Sequence, residues 1–167
     1  YFQPEKITSH FGNGSQFGVS MKYVEAAADY GTAGSVKNAY EHLGERFLII
    51  SGDVLTDFDV SAALAYHEEK GAKATIVLTQ AENPLQFGIV MTNDEGRITR
   101  FLEKPSWGEV FSDTINTGIY IIEADVLDLI PYQKDFDFIK DLGPLMLQNG
   151  MPLFGYIADG YWQDIGN

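Results

Sequence analysis

The run Phe47-Leu48-Ile49-Ile50, passing directly into Ser51-Gly52-Asp53, constrains the fold more than any other stretch of this chain. Four bulky apolar residues in succession read as a strand buried on both faces, the pattern of a parallel sheet covered by helices. A small residue, a glycine and an acid then end it. Gly52 lets the backbone turn or another group come close. Asp53 is left at the carboxyl end of a central strand, where open α/β sheets place their ligands. Aspartate is also a common turn residue, so its meaning depends on what else reaches the same place.

The rest of the chain alternates between helical and extended patterns. Pro4 to Phe11 reads as a helix opened by proline in its first turn. Val19 to Tyr23 alternates like a strand. Thr32 to Leu43 reads as a helix between Gly31 and Gly44. Ser61 is an N-cap candidate for a helix through Lys70, closed by Gly71. Ala74 to Thr79 is an apolar strand. Gly88 to Thr92 and Ile98 to Glu103 flank Asn93-Asp94-Glu95-Gly96 as a hairpin. Ile115 to Ile122 is a strand interrupted by Gly118, and Ala124 to Leu129 a short helix before Pro131. Phe138 to Leu147 is a further helix. Phe154 to Ala158 and Tyr161 to Ile165 read as a closing pair of strands around Asp159-Gly160. These elements predict one α/β domain over residues 1–167, with a mixed, mostly parallel sheet flanked by helices. Neither end carries a clear cap, so the sequence reads as incomplete at both ends.

Composition narrows the function classes. With 167 residues, 45% of them hydrophobic and 21% charged, the chain suits a single domain with a real core. It has no cysteine, which excludes disulfides and thiolate metal sites. No stretch is long enough to span a bilayer and none has the order of a signal peptide, so a cytoplasmic location is expected. The net charge is -13, from 24 acids against 11 bases. Such a surface repels nucleic acid and anionic membranes, so neither is expected as a partner. A phosphorylated ligand needs a local base or a cation, and a divalent metal held by carboxylates would supply the cation.

Four further motifs carry polar or small residues where chemistry could use them. Gly31-Thr32-Ala33-Gly34 opens a helix whose N-terminal N–H groups and small side chains leave room for a ligand; an ordinary capped helix start reads the same way. It lacks the lysine of a Walker loop and the spacing of a dinucleotide fingerprint. Glu103-Lys104-Pro105 ends a strand with opposite charges pointing apart. Glu103 suits the hydroxyls of a ligand and Lys104 a phosphate, or both are a solvated strand end. Asn116-Thr117-Gly118 interrupts an apolar strand, marking either close approach of a ligand or a bulge held by Asn116. Trp162-Gln163-Asp164-Ile165-Gly166 places a second acid among apolar neighbours. If Asp164 meets Asp53 in one cleft, a cation between them relieves their repulsion. His10, His42 and His67 show no metal-ligand spacing, and His67, on a charge-rich helix, reads as solvated. No serine has a visible histidine partner for nucleophilic chemistry.

The order of these motifs, from Gly31-Thr32-Ala33 through Gly52-Asp53, Phe87-Gly88, Glu103-Lys104-Pro105 and Asn116-Thr117-Gly118 to Trp162-Gln163-Asp164-Ile165-Gly166, resembles the sugar-phosphate nucleotidyltransferases. The look is nearest to mannose-1-phosphate guanylyltransferases, and it covers essentially the whole chain. The resemblance implies a Rossmann-like, glycosyltransferase-A-type nucleotidyltransferase fold. It implies Mg2+ and a reaction in which an NTP and a sugar 1-phosphate give an NDP-sugar and pyrophosphate. Carried over by position, Asp53 and Asp164 would hold Mg2+. Gly31, Thr32 and Ala33, with Asp53, would line the nucleotide side. Gly88, Glu103, Lys104, Asn116 and Gly118 would form the sugar-phosphate pocket, with Lys104 counted as catalytic beside the two aspartates. GTP with mannose 1-phosphate is the favoured pair, UTP or dTTP with glucose 1-phosphate the alternative. The resemblance also allows a homo-oligomer.

Two departures stand out. Tyr30 precedes Gly31 where the family usually has Leu or Met. Nothing in Tyr1 to Tyr30 matches the glycine-rich loop, with its Arg and Lys, that grips the triphosphate. The 167 residues alone are therefore expected to bind nucleotide weakly and to turn over little. A non-catalytic, nucleotide-sugar-binding regulatory relative would be expected to lose Asp53, Lys104 or Asp164, and all three are present. A plain interaction domain leaves the ordered motifs without a purpose.

Overall fold

The computed structural model describes residues 3–103 and 112–166, the side chain of Glu103 excepted. In chain order the elements are α1 (Pro4–Phe11), α2 (Gly31–Asn38), β1 (Arg46–Ile50), β2 (Val54–Thr56), α3 (Val60–Lys70), β3 (Ala74–Gln80), β4 (Gly88–Thr92), β5 (Ile98–Glu103), β6 (Thr114–Glu123), α4 (Gly143–Gln148), β7 (Leu153–Ile157) and β8 (Trp162–Asp164). The hairpin β4–β5 falls at the expected residues, and its turn is held by Asn93, whose side chain accepts from the Glu95 and Arg97 N–H groups.

Six strands form one sheet in the order β5-β4-β6-β3-β7, with β1 also on β6, and β2 pairs with β8 in a separate ribbon. The sheet is mixed, as expected, but mostly antiparallel rather than mostly parallel. Ten-residue β6 runs against β1, β3 and β4, and among the described pairs only β3–β7 is parallel. The expected closing pair is also rearranged, because β7 joins β3 while β8 crosses to β2.

Strand β1 departs from its expected burial. Phe47 and Ile49 pack against the main core, but Leu48 is 42% and Ile50 48% exposed. A strand paired on one edge and covered on one face shows alternation, whatever its composition. The other edge of β1 has no partner among the described residues, and apolar grooves flank it. One runs beside Val60, Ser61 and Leu64 of α3, the other beside Ser35, Val36 and Ala39. Residues Val19 to Tyr23 form no strand, since no described strand lies beside them to complete a ladder.

Alternate residues of β3 divide the interior. Ile76 and Leu78 enter the main core with Val90, Ile122, Leu142 and Leu153, while Val77 faces a second cluster with Phe58, Ile119 and Ile121. The N-cap of α3 is Asp59, not Ser61: its carboxylate accepts from the Ser61 and Ala62 N–H groups, and Gly71 ends the helix at φ +57°. The expected helix from Phe138 begins as a wide π turn, Phe138–Leu142, capped by Asp137 and continued by α4.

The solvated reading of His67 is overturned. Its ring is fully buried between α3 and the sheet, with Nδ1 2.8 Å from Thr75 Oγ1 and Nε2 3.2 Å from Glu123 Oε1. A neutral imidazole with its proton on Nε2 satisfies both contacts. Burial pushes the His67 imidazole below its ordinary value, and the Glu123 hydrogen bond opposes this without reversing it. Burial also raises Glu123, but hydrogen bonds from Arg46 and His67 outweigh it and hold that carboxyl below its usual value. No helix among the described residues is long and apolar enough to cross a membrane.

Candidate active site

The main sheet and the β2–β8 ribbon meet at Ser51-Gly52-Asp53. The Ser51 N–H donates to the Gly118 carbonyl at 2.9 Å, tying the end of β1 to β6. The chain then turns through Asp53 into β2. Val54 is the cross-strand partner of Asp164, and the Ile165 N–H donates to the Asp53 carbonyl at 2.9 Å. Asp53 thus stands at a junction of two sheets rather than at the tip of a buried central strand. Nothing crowds Gly52, so the described structure requires no glycine there.

The ladder brings the two acids together. A Cβ on Gly166 would lie 2.7 Å from Asp53 Oδ2 and 3.1 Å from Asp164 Oδ1. Those two oxygens therefore border the same small space beside Gly166, and a modest side-chain rotation would bring both onto one ion. Asp164 Oδ1 also accepts the Gly166 N–H at 2.7 Å, which fixes its rotamer. Among the described residues neither acid has an ion-pair partner, and no group of three His, Cys, Asp or Glu is placed to hold a metal. Two hard oxygen ligands with open positions suit Mg2+, which keeps water and phosphate oxygens in the rest of its octahedron.

The expected sugar-side residues are joined to one another through the main sheet, and Gly118 among them packs against Ser51 and Val54, which bracket Asp53. Gly88 and Glu103 are direct partners in the β4–β5 ladder, and Ile89 pairs with Ile115, one residue before Asn116. Lys104 lies outside the described residues. The Asn116 segment is a bulge: Val77 pairs with Ile119 and Leu78 with Asn116, leaving Thr117 and Gly118 without β3 partners. Asn116 holds the bulge, accepting from the Gly118 N–H and donating to the Tyr120 hydroxyl at 2.8 Å. One amide hydrogen and one lone pair remain to it. Gly118 adopts φ +78°, and a Cβ there would meet Ser51 Oγ at 2.7 Å, so a glycine is needed both for the backbone and for close approach of β1.

The glycine-rich start of α2 is built differently from the expectation. The N–H groups of Ala33 and Gly34 are not free; both donate to the Phe136 carbonyl, at 2.9 and 3.0 Å, and Gly31 N–H goes to Asp29 Oδ1. Thr32 Oγ1 donates to Asp137 Oδ2 and accepts from the Phe138 N–H. Ala33 is fully buried in the main core. The small residues here admit the 134–137 segment, whose backbone a Cβ on Gly31 or Gly34 would strike. A ligand at this helix end therefore meets a partly capped terminus, because Phe136 has taken the Ala33 and Gly34 donors and Asp29 that of Gly31.

Sequence reasoning missed several residues that shape the site. Phe136 and Asp137 cap α2, Tyr120 braces Asn116, and Ser51 and Gly166 pack against Gly118 and the acids. Asp137 before an apolar run was a legible N-cap signal; the others act through contacts distant in sequence and left none.

A family model for nucleotidyl transferases matches residues 1–167. The chain is similar to a UTP–glucose-1-phosphate uridylyltransferase of Synechocystis, 38% identical, with 97% of this chain and 45% of that protein covered. It is also similar to a mannose-1-phosphate guanylyltransferase of Mycobacterium tuberculosis, 32% identical, with 99% of this chain and 46% of that protein covered. In fold it resembles HddC from Yersinia pseudotuberculosis, with a TM-score of 0.83 at 19% identity over 99% of this chain and 70% of that one. The chain spans just under half the length of the curated relatives it matches. The match over residues 1–167, joined to these two relatives, places the chain in the nucleotidyl transferase family, among the sugar-phosphate nucleotidyltransferases.

Proposed function

We propose that this chain carries the metal-binding and sugar-phosphate side of an enzyme that transfers a nucleotidyl group from an NTP to a sugar 1-phosphate. A phosphate oxygen of the sugar 1-phosphate bonds to the α-phosphorus as the bond to the leaving pyrophosphate breaks, giving an NDP-sugar. The convergence of Asp53 and Asp164 around Gly166, with Gly118 of the β6 bulge packed against Ser51 and Val54 on either side of Asp53, is the observation that carries this reading. Both reactants are anions, so catalysis is positioning and charge neutralisation, with no covalent nucleophile required.

Asp53 and Asp164 would hold Mg2+, which when bound supplies the positive charge that lets the two phosphates approach. Lys104 would counter the sugar phosphate, and Glu103 would accept from sugar hydroxyls. Gly88 offers a backbone without side-chain obstruction, and the remaining amide hydrogen and lone pair of Asn116, with the turned backbone at Gly118, would complete the pocket. Gly31 and Thr32 would line the nucleotide side by shape, since their nearest polar groups are engaged, and Ala33 would support it from the core.

GTP with mannose 1-phosphate is the first pair proposed, although the Gly31-Thr32-Ala33-Gly34 motif also fits UTP- and dTTP-dependent relatives. UTP with glucose 1-phosphate is the second reading, favoured by the 38% identical uridylyltransferase. The test is a turnover panel on the full-length protein, each NTP crossed with mannose and glucose 1-phosphates, read as pyrophosphate release. One pair is expected to dominate, and Asp53→Ala to abolish release. Full activity in Asp53→Ala would remove the metal assignment. Absence of turnover with every pair would remove the enzyme.

A further inference from the structure

Trp162 has been given no task, yet it touches three of the segments that build the site. Its indole Nε1–H donates to the Thr117 carbonyl at 2.9 Å. Its ring meets Phe87 edge to face, with centroids 5.4 Å apart and planes at 76°. It stands on β8 two residues before Asp164, on the same face of the strand. Thr117 is the buried residue of the β6 bulge, between Asn116 and Gly118, and Phe87 leads directly into Gly88.

The bulge makes this contact consequential. Thr117 and Gly118 fall out of register with β3, so the regular ladder does not fix them. The remaining anchors are Thr117 Oγ1 on the Val77 carbonyl, Asn116 Oδ1 on the Gly118 N–H, and the Ser51 N–H on the Gly118 carbonyl. None of these reaches β8 or Phe87. The indole alone, among these contacts, ties the Asp164 strand to the bulge and to the entry of β4. The start of α2 is anchored separately, through Phe136 and Asp137.

We infer that Trp162 is a positioning residue that sets the distance between the carboxylate pair and the Gly88–Asn116 wall, and so governs affinity for the sugar 1-phosphate but not for the nucleotide. The inference rests on the sugar-1-phosphate nucleotidyltransferase reading. In the Phe variant the ring still meets Phe87, but the donor to Thr117 is gone and β8 is free to drift from the bulge. A misplacement of about 1 Å can cost on the order of 100-fold in productive alignment, so a smaller drift is enough for a tenfold effect.

The experiment is steady-state kinetics of Trp162→Phe in the full-length protein, with each substrate varied in turn. The KM for the sugar 1-phosphate is expected to rise roughly tenfold, with the KM for the NTP within about twofold of the parent. Unchanged values for both, or an equal rise in both, would overturn the positioning role. If the parent shows no turnover, it is the enzyme reading that has failed. The second measurement covers that case and the case of a variant that does not fold. Triple-resonance experiments assign the Trp162 indole N–H resonance in the 15N- and 13C-labelled full-length protein. That resonance is expected to shift on adding mannose or glucose 1-phosphate and to stay in place on adding an NTP. A resonance unmoved by either sugar phosphate would overturn the inference.

Discussion

One methyl group at position 166 tests whether Asp53 and Asp164 work as a pair. Gly166 does not occupy the left-handed region, so alanine fits its backbone without strain. The cost falls on the carboxylates. The new Cβ would lie 2.7 Å from Asp53 Oδ2, 3.1 Å from Asp164 Oδ1 and 3.3 Å from Asp53 Cβ, where ordinary contact begins at 3.4 Å. The worst of these needs about 0.7 Å of relief before attraction returns. Asp164 resists moving, because its Oδ1 is held by the residue 166 N–H at 2.7 Å. Among the described residues Asp53 has no side-chain hydrogen-bond or ion-pair partner, so it takes most of the displacement, turning away from its neighbour.

Gly166 and Ile165 are exposed, so the fold loses little; a surface substitution of this kind stays within about 0.5 kcal/mol. Metal affinity should fall much further. Disturbing the groups that orient metal ligands costs roughly 10–100-fold in affinity, or about 1.4–2.8 kcal/mol. The assay is titration with Mn2+, free ion being read by electron paramagnetic resonance, for the parent, Gly166→Ala and Asp53→Asn. Thermal melts of the same samples serve as the folding control. Mn2+ affinity in Gly166→Ala within twofold of the parent, at unchanged melting temperature, would refute the idea that the two carboxylates share an ion.

Two further outcomes follow from the described contacts. Burial depresses the His67 pKa, so the folded protein takes up fewer protons than the unfolded chain. That contribution to stability is complete above the unfolded histidine value of about 6.5 and is lost as pH falls through the folded value. Glu123, also depressed, adds a second loss lower, in the carboxylate range. Urea midpoints should therefore fall between pH 8 and pH 5.5, and the fall over that interval should shrink in His67→Gln; equal midpoints at both pH values would contradict it. Leu48 projects from the unpaired edge of β1 at 42% exposure, and lysine on such an edge discourages edge-to-edge pairing. Leu48→Lys should reduce self-association of the 167-residue chain in light scattering, and undiminished association would show that this edge is not the sticky surface.

How much of this was legible in the sequence depends on the range of the interaction. The β4–β5 hairpin, the Gly71 stop and the Ala124–Leu129 turn rest on local chemistry and fall where the pattern puts them. Strand β1 failed on context, since a run of apolar residues reports composition and not how many faces are covered. The parallel expectation failed because strand direction is set by partners far away in the chain, here by β6. His67 looked solvated because its helix is rich in charge, whereas the partners that bury it, Thr75 and Glu123, lie on two strands. At α2 the small residues read either as room for a ligand or as an ordinary capped helix start; what approaches them in the structure is the chain's own 134–137 segment.

The placement of the acids would let so negative a chain serve phosphate chemistry if they hold the proposed cation. Asp164 ends, and Asp53 directly precedes, a ribbon only three residues long on each strand, with Val54 facing Asp164. The ribbon is reinforced at its far end, where Thr56 Oγ1 donates to the Tyr161 carbonyl at 2.8 Å and the Tyr161 N–H donates to Asp57 Oδ1 at 2.6 Å. Bringing two carboxylates together opposes their repulsion, which the ladder and the Gly166 N–H must offset when no cation is bound. A cation held by both acids would reverse the sign of that term and favour the paired strands. Ion binding and order in the ribbon would then be thermodynamically linked. Phosphates would be attracted to the ion rather than to the protein's own charge. On this account the net charge of -13 is no obstacle to phosphate chemistry; it disfavours polyanions wherever the paired aspartates, and the metal they would hold, are absent.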